Sequence, residues 1–294
     1  KINYIIKPFD SIIIERSVYL TSLHYYIMTI ENTQNRRVII ITGVNGDLGR
    51  EYAARLENQG NLYGISRKPK QSAANYKHIC ADLLNPMQVQ EAFGKIEPTH
   101  EIIYLHLVGK FKFEDDKHPI EDSNRDGLDD EIYATNFTTF LNVLPHLKKF
   151  LDSNPKTKLK VVGIGSVSDL YKIPFWSSFS ASKEELRKAF RRLYGEKDYH
   201  GRVSTLMVNV STVSGSQLDL ERPFISKAYC LNPKEVVDLS IDYILDNKLS
   251  SLELSLVKPH PSFSEEDFLS IALIRDRWYK DMYGPDFQRI KGGI

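Results

Sequence analysis

The sequence predicts an α/β protein built on a doubly wound parallel sheet of about seven strands, in a single domain. Three observations lead to this prediction. Short apolar runs alternate with longer helical patterns from residue 37 to about residue 258. The first run, residues 38–42, is rich in β-branched side chains, as in a strand that is buried on both faces. A turn with three glycines joins this run directly to the first helical pattern.

The elements follow from hydrophobic periodicity and from helix start and stop signals. Strands are predicted at residues 38–42, 62–66, 78–81, 101–108, 159–164, 203–210 and 252–257. Helices are predicted at residues 48–59, 86–95, 128–152, 178–195, 233–247 and 264–282. Strict alternation with right-handed crossovers places helices on both faces of the sheet. We expect one domain over residues 37–258, an N-terminal extension of unknown role over residues 1–30, and a C-terminal helical tail over residues 259–294 that packs on the domain or on a second subunit.

The composition excludes several classes of protein. The 294 residues include 39 Lys and Arg and 38 Asp and Glu, so the net charge is +1, which argues against nucleic-acid or anionic-membrane binding. The two cysteines, Cys80 and Cys230, exclude a disulfide framework and a four-cysteine zinc site. No apolar run approaches the roughly 20 residues that cross a membrane, and no signal-peptide pattern is present. We therefore expect a cytoplasmic protein with no metal, membrane or nucleic-acid partner.

The glycine turn predicts a dinucleotide site. Three glycines at this place allow positive φ, close approach of a pyrophosphate to the backbone, and tight packing of helix on strand. The first N–H groups of the helix would face the phosphates. A tight turn without a ligand is the alternative, but a turn between a strand and a helix is the context of a dinucleotide site. The expected cofactor-binding residues of this turn are Thr42, Gly43, Asn45, Gly46, Asp47, Leu48 and Gly49.

The end of the second strand indicates which dinucleotide is bound. An acidic residue here would bind a ribose 2′-hydroxyl, but the chain has Ser66, Arg67 and Lys68 instead. A hydroxyl and a guanidinium suit a 2′-phosphate through charge-assisted hydrogen bonds. We therefore expect NADP(H) in preference to NAD(H), with Ser66 and Arg67 in contact with it. Solvated surface side chains are the alternative interpretation.

Further motifs follow the later strands. Asp82 and Leu83 come after the third strand, Gly109 after the fourth, and Ser166 ends the fifth. Asn136 lies in the long helix, and a Ser-Ala-Ser-Lys run ends at Lys183. Over residues 37–258 this set resembles the short-chain dehydrogenase/reductase family. The resemblance implies that Asp82, Leu83 and Gly109 bind the cofactor. It also implies catalytic roles for Ser166, Lys183 and Asn136, a small carbonyl or alcohol substrate, and assembly into a homodimer or homotetramer.

The resemblance fails at one central position. The family has a tyrosine four residues before its catalytic lysine, and here that position is Phe179. Residues four apart share a helix face, so the lysine ammonium lowers the pKa of the phenol that protonates the carbonyl oxygen. Phe179 has no hydroxyl to do this. The Asn-Pro-Gly of the family after the sixth strand is also replaced, here by Asn209-Val210-Ser211.

Three functions remain open. The chain could be an NADP(H)-dependent oxidoreductase in which His106, Tyr171 or water supplies the proton. It could be a catalytically silent nucleotide-binding protein that acts as a sensor or partner subunit. It could also use the nucleotide in a dehydration or isomerisation. The bland alternatives are a core residue for His106, which is the more common role of a lone histidine on an apolar strand, a loop cap for Ser166 and a solvated lysine for Lys183.

Two segments are expected to shape the substrate site and the assembly. The resemblance implies that residues 211–231 cover the nicotinamide and contact the substrate. Phe190, Leu193 and Tyr194 could form a subunit interface between motif helices, or they could belong to the core.

Overall fold

The computed structural model describes residues 3–8, 37–114, 119–171, 175–258 and 271–287. These residues form eight strands in a single sheet. In chain order the strands are β1 (Asn3–Pro8), β2 (Arg37–Thr42), β3 (Asn61–Ser66), β4 (Lys77–Cys80), β5 (Glu101–His106), β6 (Lys158–Ser166), β7 (Val203–Val210) and β8 (Ser251–Val257).

The helices lie between the strands and after the last of them. They are α1 (Asp47–Leu56), α2 (Pro86–Gly94), α3 (Asp130–Tyr133, a π turn at Ala134–Thr138, and Thr139–Ser153), α4 (Ser168–Tyr171), α5 (Ser177–Gly195), α6 (Ser216–Glu221), α7 (Pro233–Leu245) and α8 (Ile271–Tyr283). Within the described residues, the predicted alternation of strand and helix is confirmed, with boundaries that shift by a few residues.

The strand order defines where a ligand can bind. The sheet runs β1-β8-β7-β6-β5-β2-β3-β4, and β2 to β8 are parallel. From β2 the chain continues to β3 and β4 at one edge of the sheet, and it then returns to β5 on the opposite side of β2. The connections that follow β2 and β5 therefore run in opposite directions along the sheet. In an open α/β sheet, the crevice at the carboxyl ends of such a pair is the ligand site.

The strand β1 was not predicted, because residues 1–30 were treated as an extension outside the fold. Residues 3–8 pair antiparallel with β8, from Asn3 opposite Val257 to Pro8 opposite Leu252. The predicted seven parallel strands are therefore present, and an eighth, antiparallel strand covers one edge. Sequence patterns miss such a strand because the backbone hydrogen bonds that hold it are the same for every residue type.

Alternating side chains place a core on each face of the sheet. In β2, Val38 and Ile40 pack toward α3 and α5, whereas Ile39 and Ile41 pack toward α1 and α7. All four are fully buried, and burial of such a side chain contributes about 1.5–3 kcal/mol. The two cores hold the carboxyl ends of the strands in fixed register, which makes a rigid platform for the site.

The helices α5 and α8 close the remaining sides of the domain. Phe190 and Leu193 of α5 are core residues, 0% and 1% exposed, so they are not available for a subunit interface, whereas Tyr194 is 40% exposed. From the C-terminal tail, Trp278 and Met282 of α8 pack against Phe113 and Trp176. Residues 259–270 and 288–294 of the tail lie outside the described residues. No helix in the described ranges is long and apolar enough to span a membrane.

Candidate active site

Two adjoining cavities open at the carboxyl ends of the strands, on either side of the point where β2 and β5 diverge. The glycine-turn cavity, of about 480 Å³, extends from Gly43 and Gly46 to Arg67 and Asp82. The aromatic cavity, of about 250 Å³, is walled by four rings: Phe111, Trp176, Phe179 and Trp278. Residues 107–110 and Gln217 line both cavities. The two cavities thus form one cleft that passes over the end of β5.

The glycines are required by close backbone contacts. Gly43 has φ +76°, and a Cβ atom there would lie 2.9 Å from the carbonyl carbon of Leu107. A Cβ atom at Gly49 would lie 2.3 Å from the carbonyl oxygen of Gly43, so this glycine lets α1 pack on the turn. Gly43, Gly46 and Asn45 line the glycine-turn cavity, and Leu48 lines the aromatic cavity. Gly49 acts through packing and does not line either cavity.

Two other residues of the turn differ from the expectation of direct contact with a cofactor. Thr42 is fully buried beneath the turn, where its hydroxyl meets Tyr104 at 3.1 Å and His106 at 3.3 Å. Asp47 does not line either cavity. Its carboxylate pairs with Arg50 at 2.5 Å and accepts the backbone N–H of Ser216 at 3.0 Å. Both residues hold neighbouring segments in place: Thr42 the end of β5, and Asp47 the start of α6.

The far end of the glycine-turn cavity contains the residues that were predicted to select the dinucleotide. Arg67 is exposed at the cavity wall. The Ser66 hydroxyl donates to the Lys68 carbonyl at 2.8 Å and also meets Nε2 of His78 at 2.8 Å. Asp82 lines the cavity and accepts the Leu84 N–H at 3.0 Å, while Leu83 is buried at the cavity wall. This end therefore combines an exposed guanidinium with a hydroxyl and a carboxylate that are held by hydrogen bonds.

His106 is not positioned to supply a proton. The ring is 1% exposed and lies between Tyr104 OH, 2.9 Å from Nδ1, and Thr139 Oγ1, 3.5 Å from Nε2. Burial, together with the nearby charge of Lys183, lowers the pKa of His106 to about 3. It is therefore a neutral core residue at physiological pH. The other candidate acid was Tyr171, whose side chain lies outside the described part of the structure.

Asn136 fixes the loop that joins the two cavities. It is fully buried in the π turn of α3, a feature that occurs frequently at functional sites. Its Oδ1 accepts the Lys110 N–H at 2.7 Å, and its Nδ2 donates to the Lys110 carbonyl at 2.8 Å and to Ser182 Oγ at 3.0 Å. Asn136 lines neither cavity, and it positions the residues that do.

Lys183 is buried in the cleft with no carboxylate in hydrogen-bond contact among the described residues. Lys183 is 4% exposed, and its Nζ donates to the Ile164 carbonyl oxygen at 3.0 Å. The ammonium lies 5.5 Å from the ring centre of Phe179, one turn earlier in α5. A Cβ atom at Gly109 would lie 3.3 Å from Nζ, a tight contact that glycine avoids. Burial lowers the pKa of Lys183 to about 8.

The lowered pKa of Lys183 predicts a pH-dependent cost in stability. Unfolding returns the pKa of Lys183 from about 8 to its ordinary value of 10.5. Between these values the unfolded chain binds more protons than the folded chain, so stability rises with pH there. Replacing Lys183 with methionine should remove this slope. At pH 7 burial of the charge lowers the free energy of unfolding of the wild type by about 3 kcal/mol, and Lys183→Met regains this amount. The variant also loses the hydrogen bond to Ile164, which costs about 1 kcal/mol. The variant should thus be the more stable protein at pH 7.

Urea unfolding at pH 7 and at pH 10 measures the stability difference between the two proteins and its dependence on pH. The stability advantage of Lys183→Met should shrink as the pH rises. Lys188→Met on the same helix is the control, because the Lys188 side chain is 47% exposed. An advantage that is constant with pH, or equal in the two variants, would show that Lys183 is not a buried charge.

Ser166 caps the following turn and also lines the aromatic cavity. Its Oγ accepts from the N–H of Ser168 at 3.1 Å and from the Ser168 hydroxyl at 2.9 Å, so it does cap the following turn. A hydroxyl has one proton to donate, and within the described residues that of Ser166 has no acceptor. Ser166 lines the aromatic cavity, so this proton is available to an oxygen atom bound there.

Residues of the segment 211–231 line both cavities and cover the cleft, while their contact with a nicotinamide and a substrate stays a prediction. Gln217 of α6 donates to the Phe111 carbonyl at 2.9 Å, and Glu221 accepts the Phe113 N–H at 3.2 Å. Arg222 pairs with Asp281 of α8 and lies 5.6 Å from the ring centre of Trp278. The cover is therefore bonded to the loop after β5 on one side and to α8 on the other.

The aromatic wall is the part of the site that the sequence analysis missed. Phe111 and Trp176 lie 5.2 Å apart between ring centres, Trp176 and Trp278 lie 5.3 Å apart, and both pairs are edge-to-face. The three rings come from the loop after β5, the residue before α5, and α8. The available signal was the Phe-Trp pair at residues 175–176, two bulky aromatic residues in a loop next to the motif helix.

The fold and the cleft agree with the comparison with protein families. The model of the short chain dehydrogenase family matches residues 37–221, more than half of the chain. The chain therefore belongs to the short chain dehydrogenase family, whose members are oxidoreductases that bind a nicotinamide cofactor and act on small carbonyl or alcohol compounds. A curated relative, the 3-ketodihydrosphingosine reductase of Bacteroides thetaiotaomicron, is 26% identical over 151 residues, 50% of this chain and 53% of the relative. The chain spans about half the length of this relative.

Solved structures show the same fold at low identity. A short chain dehydrogenase from Burkholderia cenocepacia in complex with NADP is 18% identical, with a TM-score of 0.61 over 76% of this chain and 89% of that chain. The actinorhodin polyketide ketoreductase with NADPH is 14% identical, with a TM-score of 0.62 over 79% and 99%. The aldohexose dehydrogenase of Thermoplasma acidophilum is 18% identical, with a TM-score of 0.59 over 74% and 88%.

Proposed function

We propose that the protein is an NADP(H)-dependent oxidoreductase that interconverts a carbonyl and an alcohol on a small molecule. The observation that carries the proposal is the continuous cleft, which has Arg67 at one end and Lys183 with Ser166 at the other. The proposal includes a cytoplasmic location and assembly as a homodimer or homotetramer. The relatives crystallised with NADP and NADPH support the choice of cofactor by analogy.

The residues of the cleft fit a dinucleotide. Gly43 and Gly46 leave the backbone open along the glycine-turn cavity, and the start of α1 offers N–H groups to phosphate oxygens. Arg67 suits a 2′-phosphate, and Asp82 suits the adenine. When bound, the cofactor supplies or accepts a hydride. The chain's own contribution is to bind and orient: Lys183 donates hydrogen bonds, the Ser166 hydroxyl donates to a substrate oxygen, and the residues of α6 exclude water.

A second function is favoured by one specific observation. The absence of a hydroxyl at Phe179 suits a protein that binds the dinucleotide without turnover and acts as a sensor or partner subunit. The two functions share the binding of NADP(H) and differ in whether the aromatic cavity is used for chemistry.

Replacing Arg67 with alanine should weaken NADPH binding at least tenfold and leave NADH binding within about twofold, because a charge-assisted bond to a phosphate is worth about 1.5–3 kcal/mol. Nicotinamide fluorescence in a titration of the purified protein measures both affinities. Arg55→Ala is the control, since Arg55 is an exposed residue in the last turn of α1. Equal losses for the two cofactors would disprove the role of Arg67, and no binding of either cofactor to the wild type would disprove the proposed function.

A further inference from the structure

The aromatic cavity has a composition that selects among carbonyl compounds. Its wall is formed by Phe111, Trp176, Phe179 and Trp278, which are arranged edge-to-face around one another. Trp176 and Trp278 are 6% and 9% exposed, so their rings are held by packing. A rigid aromatic wall favours a flat conjugated ligand, because such a ligand can stack on one ring and meet the edge of another.

Two cations lie beside these rings and also line the cavity. The ammonium of Lys183 is 5.5 Å from the centre of the Phe179 ring, and the guanidinium of Arg222 is 5.6 Å from the centre of the Trp278 ring. Arg222 is neutralised by Asp281, whereas no carboxylate of the described residues is in hydrogen-bond contact with Lys183. An ammonium without a hydrogen-bonded carboxylate favours negative charge on a ligand in the cavity, in particular on an oxygen that becomes anionic during reduction.

The absence of a phenol at position 179 restricts which oxygen can become anionic. Reduction of an isolated ketone generates an alkoxide, whose conjugate acid is nearly as weak an acid as water, so this anion needs an acid beside it. Reduction of a quinone generates a phenolate-type anion, and a phenol has a pKa of about 10. The quinone product therefore needs only a nearby cation and later protonation by solvent. Lys183 provides the cation and the Ser166 hydroxyl provides a hydrogen bond.

We propose that the aromatic cavity binds a flat, conjugated quinone of one or two rings and that this is the substrate class of the site. The proposal rests on the proposed function, since the reducing equivalent comes from the dinucleotide. The quinone takes up a hydride, which oxidises the dihydronicotinamide, and one proton from solvent, and leaves as the hydroquinone. Electrons and protons balance without any other reactant.

The two tryptophans allow binding to be measured without any cofactor. The chain contains two Trp residues, Trp176 and Trp278, and both line the aromatic cavity. Quenching of protein fluorescence by a quinone therefore reports on this cavity. The probe is 2,3-dimethyl-1,4-naphthoquinone. Its two methyl groups block conjugate addition of the exposed Cys80 thiol to the quinone ring. The matched compound is 1-decalone, a saturated ketone with the same two-ring skeleton.

The quinone should quench the fluorescence of the wild type saturably, and decalone should not compete with it at equal concentration. Trp278→Leu should weaken quinone binding about two- to tenfold, the worth of one aromatic contact, while Trp278→Phe should retain the affinity. Tyr194→Leu removes an exposed ring of α5 outside the cavity and is the control. Unsaturable quenching, or equal affinity of the Leu and Phe variants, would overturn the proposal.

Turnover separates this proposal from the proposed function. With NADPH, the wild type should reduce the quinone with a kcat/KM at least 100-fold higher than that for decalone. Saturable quinone binding in a protein that does not bind NADPH would refute the proposed function and preserve the ligand class of the cavity. Binding of NADPH with reduction of decalone as fast as the quinone would preserve the proposed function and refute the quinone.

Discussion

Replacing Phe179 with tyrosine should raise the reduction of saturated ketones such as decalone by about 10²–10⁴-fold, the usual contribution of general acid catalysis. The ammonium of Lys183 lies on the Phe179 side of α5 and would lower the pKa of the new phenol, because an adjacent positive charge favours phenolate. The ring of Phe179 lines the aromatic cavity, so the phenol would face the substrate. Reduction of a quinone should change by only a few fold.

The measurement is kcat/KM with NADPH for decalone and for the naphthoquinone, in the wild type and the variant. Phe179→Leu tests whether the gain comes from the hydroxyl or from altered packing, and it should give no gain. The pH profile of decalone reduction should show a new ionisation that the wild type lacks. Unchanged decalone reduction in a variant that binds NADPH normally would favour the sensor or partner-subunit function.

Replacing Arg187 with methionine should destabilise the protein by about 3–5 kcal/mol, because it leaves a buried carboxylate without its partner. Arg187 is 5% exposed and forms an ion pair with Asp169, whose side chain is fully buried. It also donates to Asn209 Oδ1 at 2.8 Å and lies 3.2 Å from Glu253. These contacts tie α5 to α4, the short helix after Ser166, and to β7 and β8.

Urea unfolding measures the loss, with Arg192→Met as the control, because the Arg192 side chain is 64% exposed on the same helix. The double variant Arg187→Met with Asp169→Leu should recover most of the stability, since replacing a whole buried pair by apolar residues is often neutral. A single variant that loses less than about 1 kcal/mol would show that solvent reaches Asp169 when the arginine is removed.

The sequence predicted most of the fold because the parallel strands and their helices carry strong periodic patterns. Residues 38–41 show this well: their alternate side chains meet two different cores, and all four are fully buried. The edge strand β1 could not be predicted in the same way. Residues 1–30 were treated as an extension outside the fold, and β1 lies outside the strand–helix alternation that begins at residue 37.

The sequence predicted which positions contribute to the site better than it predicted which contacts their side chains make. Motif spacing identified Ser166, Phe179 and Lys183, which the structure brings to one cavity. It could not show that Thr42 and Asn136 act from beneath the cleft, because the residue type does not reveal the direction in which a side chain points. It also could not bring Trp176 and Trp278 together, since they are distant in sequence and meet only through the packing of α8.

The strand β1 also determines the order in which the molecule can be completed. Asn3 lies opposite Val257, so β1 pairs with a strand that is distant from it in the chain. Until β8 has formed on β7, residues 3–8 have no partner in the sheet, and the long loop between them must be closed at an entropic cost. Docking of β1 is therefore a late event in folding. The edge of β8 stays open to pairing with another chain until that step is finished.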